Sequence, residues 1–130
     1  MSYEGKKILL IDDDPTFTRL YTAVFNAEGL SLLVAANGAK GLQEAAIQKP
    51  DLILLDIMLP DIGGLDVLKR LKQSPETANI TVWIITNLAE HLNEETATSL
   101  GATDYLVKAS YTPKQVMEKV KDFFENKAPG

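Results

Sequence analysis

The stretch Ile8-Leu9-Leu10-Ile11-Asp12-Asp13-Asp14-Pro15 decides the fold: four apolar residues in a row, then three carboxylates, then a proline. A short apolar run without polar alternation reads as a strand buried on both faces, the arrangement of a parallel sheet. Three further runs stop just as abruptly. Leu52-Ile53-Leu54-Leu55 ends in Asp56, Val82-Trp83-Ile84-Ile85 ends in Thr86, and Tyr105-Leu106-Val107 ends in Lys108. Ligands of open parallel sheets bind at the carboxyl ends of the strands. The pattern therefore gathers four acids, a hydroxyl and an amine at one edge of one sheet.

Between the runs lie helical patterns. After Asp14 the apolar residues Phe17, Leu20, Tyr21, Val24 and Phe25 form the stripe of a half-buried helix, with Asp14 as N-cap, Pro15 in the first turn and Gly29 closing it. A strand at Leu32-Leu33-Val34 leads to Asn37, which caps a helix carrying Leu42, Ala45 and Ala46 inward, and Pro50 ends that element. Gly63-Gly64 serves a turn and opens a third helix with Leu65, Leu68 and Leu71, closed by Ser74-Pro75. The segment 90–100 has a weak stripe (Leu92, Ala97, Leu100) and is expected to be the least firmly packed helix. Thr112-Pro113 starts the last helix, bearing Val116, Val120, Phe123 and Phe124. Five β-α units make an α/β, doubly wound (βα)5 fold: a five-stranded parallel sheet with helices on both faces. The flavodoxin-like strand order 2-1-3-4-5 puts the switch point between strands 1 and 3, which carry Asp12–Asp14 and Asp56.

At 130 residues the chain reads as a single domain, with 5–126 as its core and 127–130 as a tail. Its net charge of −5 argues against a nucleic-acid or anionic-membrane partner, both of which need a concentrated basic face. The absence of cysteine excludes disulfides, thiolate zinc sites and thiol catalysis. No apolar stretch has signal-peptide or membrane-span character, so a cytoplasmic protein is expected.

Clustered carboxylates repel one another, and burying them at a strand end requires a compensating cation. A hard divalent ion fits: magnesium takes one or two carboxylates, a carbonyl and waters, with phosphate oxygens completing its shell. Lys108 offers a point charge and Thr86 a hydroxyl to a phosphate oxygen. These groups around a central carboxylate suit phosphoryl transfer, with Asp56 as the nucleophile. An anionic carboxylate needs no general base, and the chain puts no histidine at this edge.

The stretches ILLIDDDP, DLILLDIMLPDIGGLDVLKRLK, VWIITN and GATDYLVK, in this order and spacing, are similar to those of the receiver domains of bacterial two-component response regulators, of the single-domain chemotaxis-regulator kind. The resemblance covers nearly the whole chain. It implies that Asp12, Asp13, Asp56 and the backbone carbonyl of Met58 hold Mg2+ (or Mn2+), and that Asp56 accepts phosphate from a phosphohistidine on a histidine kinase or histidine phosphotransfer protein. Thr86 and Lys108 would hold the phosphoryl oxygens. Thr86 and Tyr105 would act as the switch, Tyr105 changing its burial as the threonine moves. The output face would be the fourth helix, fifth strand and fifth helix, about 90–125, acting on a downstream protein or a missing output domain and capable of phosphorylation-dependent homodimerisation. Such a chain catalyses its own phosphorylation and hydrolysis without being a metabolic enzyme.

Two departures from that family stand out. Proline usually follows the lysine through a cis peptide, whereas here the run is Lys108-Ala109-Ser110, and a cis bond to a non-proline costs about 2.5–4 kcal/mol. The peptide is then either strained or trans with a differently shaped loop. The residue after the threonine is Asn87 where a small residue is common. With Met58 and Leu88 apolar beside the site, a slowly decaying phosphorylated form is expected.

Simpler readings exist for several residues. Asp14 reads as a cap rather than a ligand, Asp61 as a solvated turn residue, His91 as a surface residue, Trp83 as core, and Tyr105 as packing or switch. Asp12-Asp13-Asp14-Pro15-Thr16 also satisfies the Asp-x-Asp-x-Thr motif of haloacid-dehalogenase-type Mg2+ phosphatases, with Asp12 as nucleophile and Asp14 as acid/base. The later strands, however, end in Thr86 and Lys108 rather than an acidic pair. A flavodoxin-like binding module would need a phosphate loop where this chain puts three carboxylates. A pseudo-receiver scaffold draws its support only from the missing proline.

Overall fold

The computed structural model describes residues 3–88 and 90–126, apart from the His91 side chain. The expectations for the 127–130 tail and for His91 lie outside the described residues. The elements run β1 (Lys7–Ile11), α1 (Pro15–Ala27), β2 (Ser31–Ala35), α2 (Gly38–Gln48), β3 (Leu52–Leu55), α3 (Gly64–Gln73), β4 (Thr81–Thr86), α4 (His91–Ser99), β5 (Asp104–Val107) and α5 (Pro113–Asn126), with a 3-10 turn at Lys108–Ser110. All strands are parallel, in the order β2-β1-β3-β4-β5.

The period-2 alternation of a strand divides the core into two layers. Ile8, Leu10, Leu52, Leu54, Trp83 and Ile85 face α1 and α5, where Tyr21, Phe25, Val116 and Val120 meet them. Leu9, Ile11, Ile53, Leu55, Val82 and Ile84 face the other way, onto Ala45, Val67, Leu68, Leu71 and Ala97. Each such aliphatic side chain contributes about 1.5–3 kcal/mol by its removal from water. This double coverage is why the strands read as unbroken apolar runs.

Register positions the site. Ile11 pairs with Leu55 and Leu55 with Ile84, so Asp12 and Asp56 emerge level with each other and Thr86 two residues beyond Ile84. Backbone bonds hold that level: Asp56 N–H donates to the Ile11 carbonyl and Asp12 N–H to that of Ala35, both at 3.0 Å.

Asp14 caps α1, its Oδ1 accepting from the N–H groups of Thr16 (3.0 Å) and Phe17 (3.3 Å). Asn37 caps α2 through Lys40 N–H at 2.8 Å. Thr112 and Gln115 form a reciprocal capping box at the start of α5, at 2.8 and 3.1 Å. Gly29 takes the left-handed conformation (φ 76°) after α1, the place where a side chain would be strained.

Two expected stripe residues face water: Leu20 is 50% exposed and Leu92 72%. Periodicity marks an apolar residue on a helix, but the neighbours decide whether anything covers it. Among its described side chains α4 buries Ala97 alone, in keeping with its weak pattern.

Candidate phosphoacceptor site

Asp12 and Asp56 lie buried at the carboxyl edge of the sheet, and Asp13 is exposed beside them. One carboxylate oxygen from each of the three lies within 4.8 Å of the other two. Asp56 is gripped on both sides. Its Oδ1 accepts from the Thr86 hydroxyl at 2.7 Å and from the Met58 N–H at 3.0 Å, and its Oδ2 from the Lys108 ammonium at 3.1 Å. The same ammonium stands 2.7 Å from Asp12 Oδ2. Asp12 Oδ1 accepts from Asp14 N–H at 2.9 Å, which turns the chain sharply out of β1.

Asp12 Oδ2 is fully buried and faces the Lys108 ammonium as an ion pair at 2.7 Å. That leaves one dry carboxylate oxygen with unused accepting capacity. Burial is the largest influence on the Asp12 carboxyl and pushes its pKa up, with Lys108 and the Asp14 N–H offsetting only part of the rise. For Lys108 burial is again the largest single influence and works downward. The hydrogen bond with Asp12 and the charges of Asp56 and Asp12 outweigh it, so the ammonium is held above the ordinary lysine value. The two shifts have different causes: burial disfavours the charged Asp12 carboxylate, while the neighbouring carboxylates favour the charged Lys108 ammonium. An oxygen-rich cluster with an orphaned buried lone pair fits a hard divalent ion.

The Lys108–Ala109 peptide is trans, as are all those of the described residues, and the chain passes into the 3-10 turn at Lys108–Ser110. The lysine reaches both carboxylates from this loop, which resolves the choice between a strained and a reshaped connection. Tyr105 is half-buried, and its hydroxyl donates to the Leu88 carbonyl at 2.6 Å. Leu88 N–H in turn lies 3.4 Å from Thr86 Oγ1. Met58 projects 57% exposed. Asn87 is exposed and lines a cleft of about 280 Å3 shared with Lys108, Ala109 and Phe17. Trp83 is core, 6% exposed and edge-on to Phe123.

Three residues do more than their sequence reading allowed. Asp61 is no free turn residue: its carboxylate accepts the Gly38 N–H at 2.8 Å and the Ala39 N–H at 2.9 Å. It thereby ties the loop after Asp56 to the N-terminus of α2. The bonds from Ala39 and Gly38 hold its carboxyl down at about 2. Gly64 does more than open a helix, because a Cβ there would overlap the Asp56 carbonyl oxygen. Phe17 lies against Lys108. No local sequence signal marks these contacts: those of Asp61 and Phe17 join segments distant in the chain, and that of Gly64 depends on how the loop after Asp56 turns back. The phosphatase alternative needs Asp14 as a free acid/base, yet that carboxylate is occupied as a helix cap.

The family model described as "Response regulator receiver domain" matches residues 8–121. The chain belongs to the response regulator receiver domain family. The receiver domain is 34% identical to sporulation initiation phosphotransferase F of Bacillus subtilis, over 95% of this chain and 98% of that protein. It spans about half the length of the first curated relatives it matches, 48% and 55%. Among solved structures it resembles a CheY-like receiver domain protein of Methanospirillum hungatei JF-1, with a TM-score of 0.84 at 27% identity, covering 92% of this chain and 94% of that one. It also matches the Mn(2+)-bound form of response regulator Rcp1, with a TM-score of 0.78 at 25% identity, covering 95% and 96%. The acidic pocket of Asp12, Asp13 and Asp56 is consistent with the phosphoacceptor function of such domains, which bind divalent metal there.

Proposed function

We propose that this receiver domain accepts a phosphoryl group on Asp56 from the phosphohistidine of a histidine kinase or phosphotransfer protein, with Mg2+ at Asp12, Asp13, Asp56 and the Met58 carbonyl. The supporting observation is that the Asp56 carboxylate alone, among the three, is held at once by the Thr86 hydroxyl, the Met58 N–H and the Lys108 ammonium. An Asp56 oxygen attacks phosphorus, the P–N bond of phosphohistidine breaks, and its electron pair leaves on the imidazole nitrogen. The divalent ion supplies Lewis-acid neutralisation of the phosphoryl charge. Lys108 gives up carboxylate contacts for a phosphoryl oxygen, and Thr86 turns its hydroxyl from Asp56 Oδ1 toward another. The Leu88 link passes that movement to Tyr105, altering the α4–β5–α5 face for a downstream protein, an output domain or a second copy. Such signalling takes place in the cytoplasm; among the described residues no helix is long and apolar enough to cross a membrane.

Met58 and Leu88 provide no group to orient an attacking water, and Asn87 narrows the approach. The aspartyl phosphate therefore decays slowly.

The test is incubation with acetyl phosphate with and without Mg2+, read by intact mass beside Asp56→Asn. A Mg2+-dependent gain of one phosphoryl group, absent in the variant, is expected. An adduct that persists in Asp56→Asn would falsify the assignment.

A further inference from the structure

Lys108 has a third neighbour besides its two carboxylates: the ammonium lies 4.0 Å from the centroid of the Phe17 ring. That ring is held firmly. It stacks on Tyr21 with centroids 4.1 Å apart and planes inclined by 26°, and Tyr21, 1% exposed, stacks on Phe25 at 5.9 Å and 27°. Phe17, Tyr21 and Phe25 recur every four residues along α1, so they share one helix face. They form an aromatic ladder rooted in the core, whose upper end is the ring on the ammonium.

The three neighbours of the ammonium differ in kind. Asp12 and Asp56 are the carboxylates that a divalent cation shares, and such a cation repels the ammonium. The ring face attracts a cation through its quadrupole and has no lone pair for a metal to claim. The loop gives the side chain little other guidance: Ala109 and Ser110 are exposed, and the 3-10 turn has no side-chain cap.

We propose that Phe17 is a positioning residue for Lys108, its ring face keeping the ammonium beside Asp56 while a cation occupies the carboxylates. The lysine is then already in place for an incoming phosphoryl oxygen. The role rests on the reading of Asp56 as phosphoacceptor.

Two measurements test it. In the NMR spectrum the Lys108 Cε protons are expected upfield from the ring current of Phe17, both in metal-free and in Mg2+-loaded protein, and back at ordinary positions in Phe17→Leu. Loss of the upfield shift on adding Mg2+ overturns the proposal whatever the phosphorylation chemistry. Replacing Phe17 by 4-fluoro-, 3,5-difluoro- and 3,4,5-trifluorophenylalanine then drains the ring face of negative potential with little change of shape. Phosphorylation by acetyl phosphate at saturating Mg2+ is expected to slow stepwise, reaching roughly 2- to 30-fold, at unchanged Tm and Mg2+ affinity. A rate that stays flat across the series also overturns it, since a purely structural ring would give that result. A wild-type protein that takes up no phosphoryl group overturns the phosphoacceptor reading instead, and the ring-current measurement tells that result apart from a failure of the hold.

Discussion

The Tyr105 hydroxyl donates to the carbonyl of Leu88 at 2.6 Å, so the last strand braces the loop that follows Thr86. Removing the hydroxyl leaves that carbonyl to solvent. Tyr105→Phe is expected to lower stability by about 0.5–1.5 kcal/mol, the ordinary net worth of one such bond. Amide exchange at Asn87 and Leu88 should quicken. Unchanged exchange at both would show that the bond does not restrain the loop.

Lys108 is the counter-ion of the acidic pocket, its side chain 10% exposed and that of Asp12 fully buried. In Lys108→Met the carboxylates lose that charge, and removing one partner of a buried pair typically costs about 3–5 kcal/mol. The metal-free variant should therefore melt well below wild type, and added Mg2+ should raise its Tm by more than it raises that of wild type. An equal Mg2+ response in the two proteins would argue against competition between ammonium and metal.

Asp61 has its pKa depressed to about 2 by the Ala39 and Gly38 N–H groups. A depressed carboxyl contributes stability above its unfolded pKa near 4 and loses it as pH falls through the folded value. Acid unfolding followed by circular dichroism should show this slope between pH about 4 and 2. Asp61→Ala should lower the Tm at pH 7 and flatten that limb. An acid limb identical to wild type would remove Asp61 from the account.

Tyr21 is raised to about 12, first by burial and then by the charge of Asp12. A raised phenol keeps its full contribution below the unfolded value near 10, and loses it as pH climbs through the folded value. Alkaline unfolding between pH about 10 and 12 should thus be shallower in Tyr21→Phe. Tyr105 and Tyr3 are raised as well, so part of the slope should persist.

Much of this protein was legible before any coordinates. The runs ending at Asp12, Asp56, Thr86 and Lys108 pointed to buried parallel strands, because short unbroken apolar runs bounded by turn residues suit strands covered on both faces. Their polar terminators were then bound to meet at one edge, since parallel strands end on the same side. Caps were equally readable: Asp14 and Asn37 bond N–H groups two or three residues away, a distance within one turn of helix.

Contacts between separate segments were not legible. Leu20 and Leu92 fit their helical stripes and yet face water, because a stripe records spacing and not what lies opposite. Asp61 is the exposed turn acid its sequence suggests, but only the fold brings the Gly38 and Ala39 N–H groups to it.

The sequence by itself determined the five β-α units and the residues gathered at the acidic edge, while the strand order 2-1-3-4-5 was expected as the common one for five such units and is the order the sheet has. Periodicity, chirality and the common direction of parallel strands leave little freedom in those matters. Only the tertiary structure decided the trans connection after Lys108, the Asp61 tie to α2 and the seat of the ammonium on Phe17. Each depends on angles and separations of a few ångströms between segments far apart in the chain. Such distances are set by the packing of the whole domain, and no local pattern encodes them.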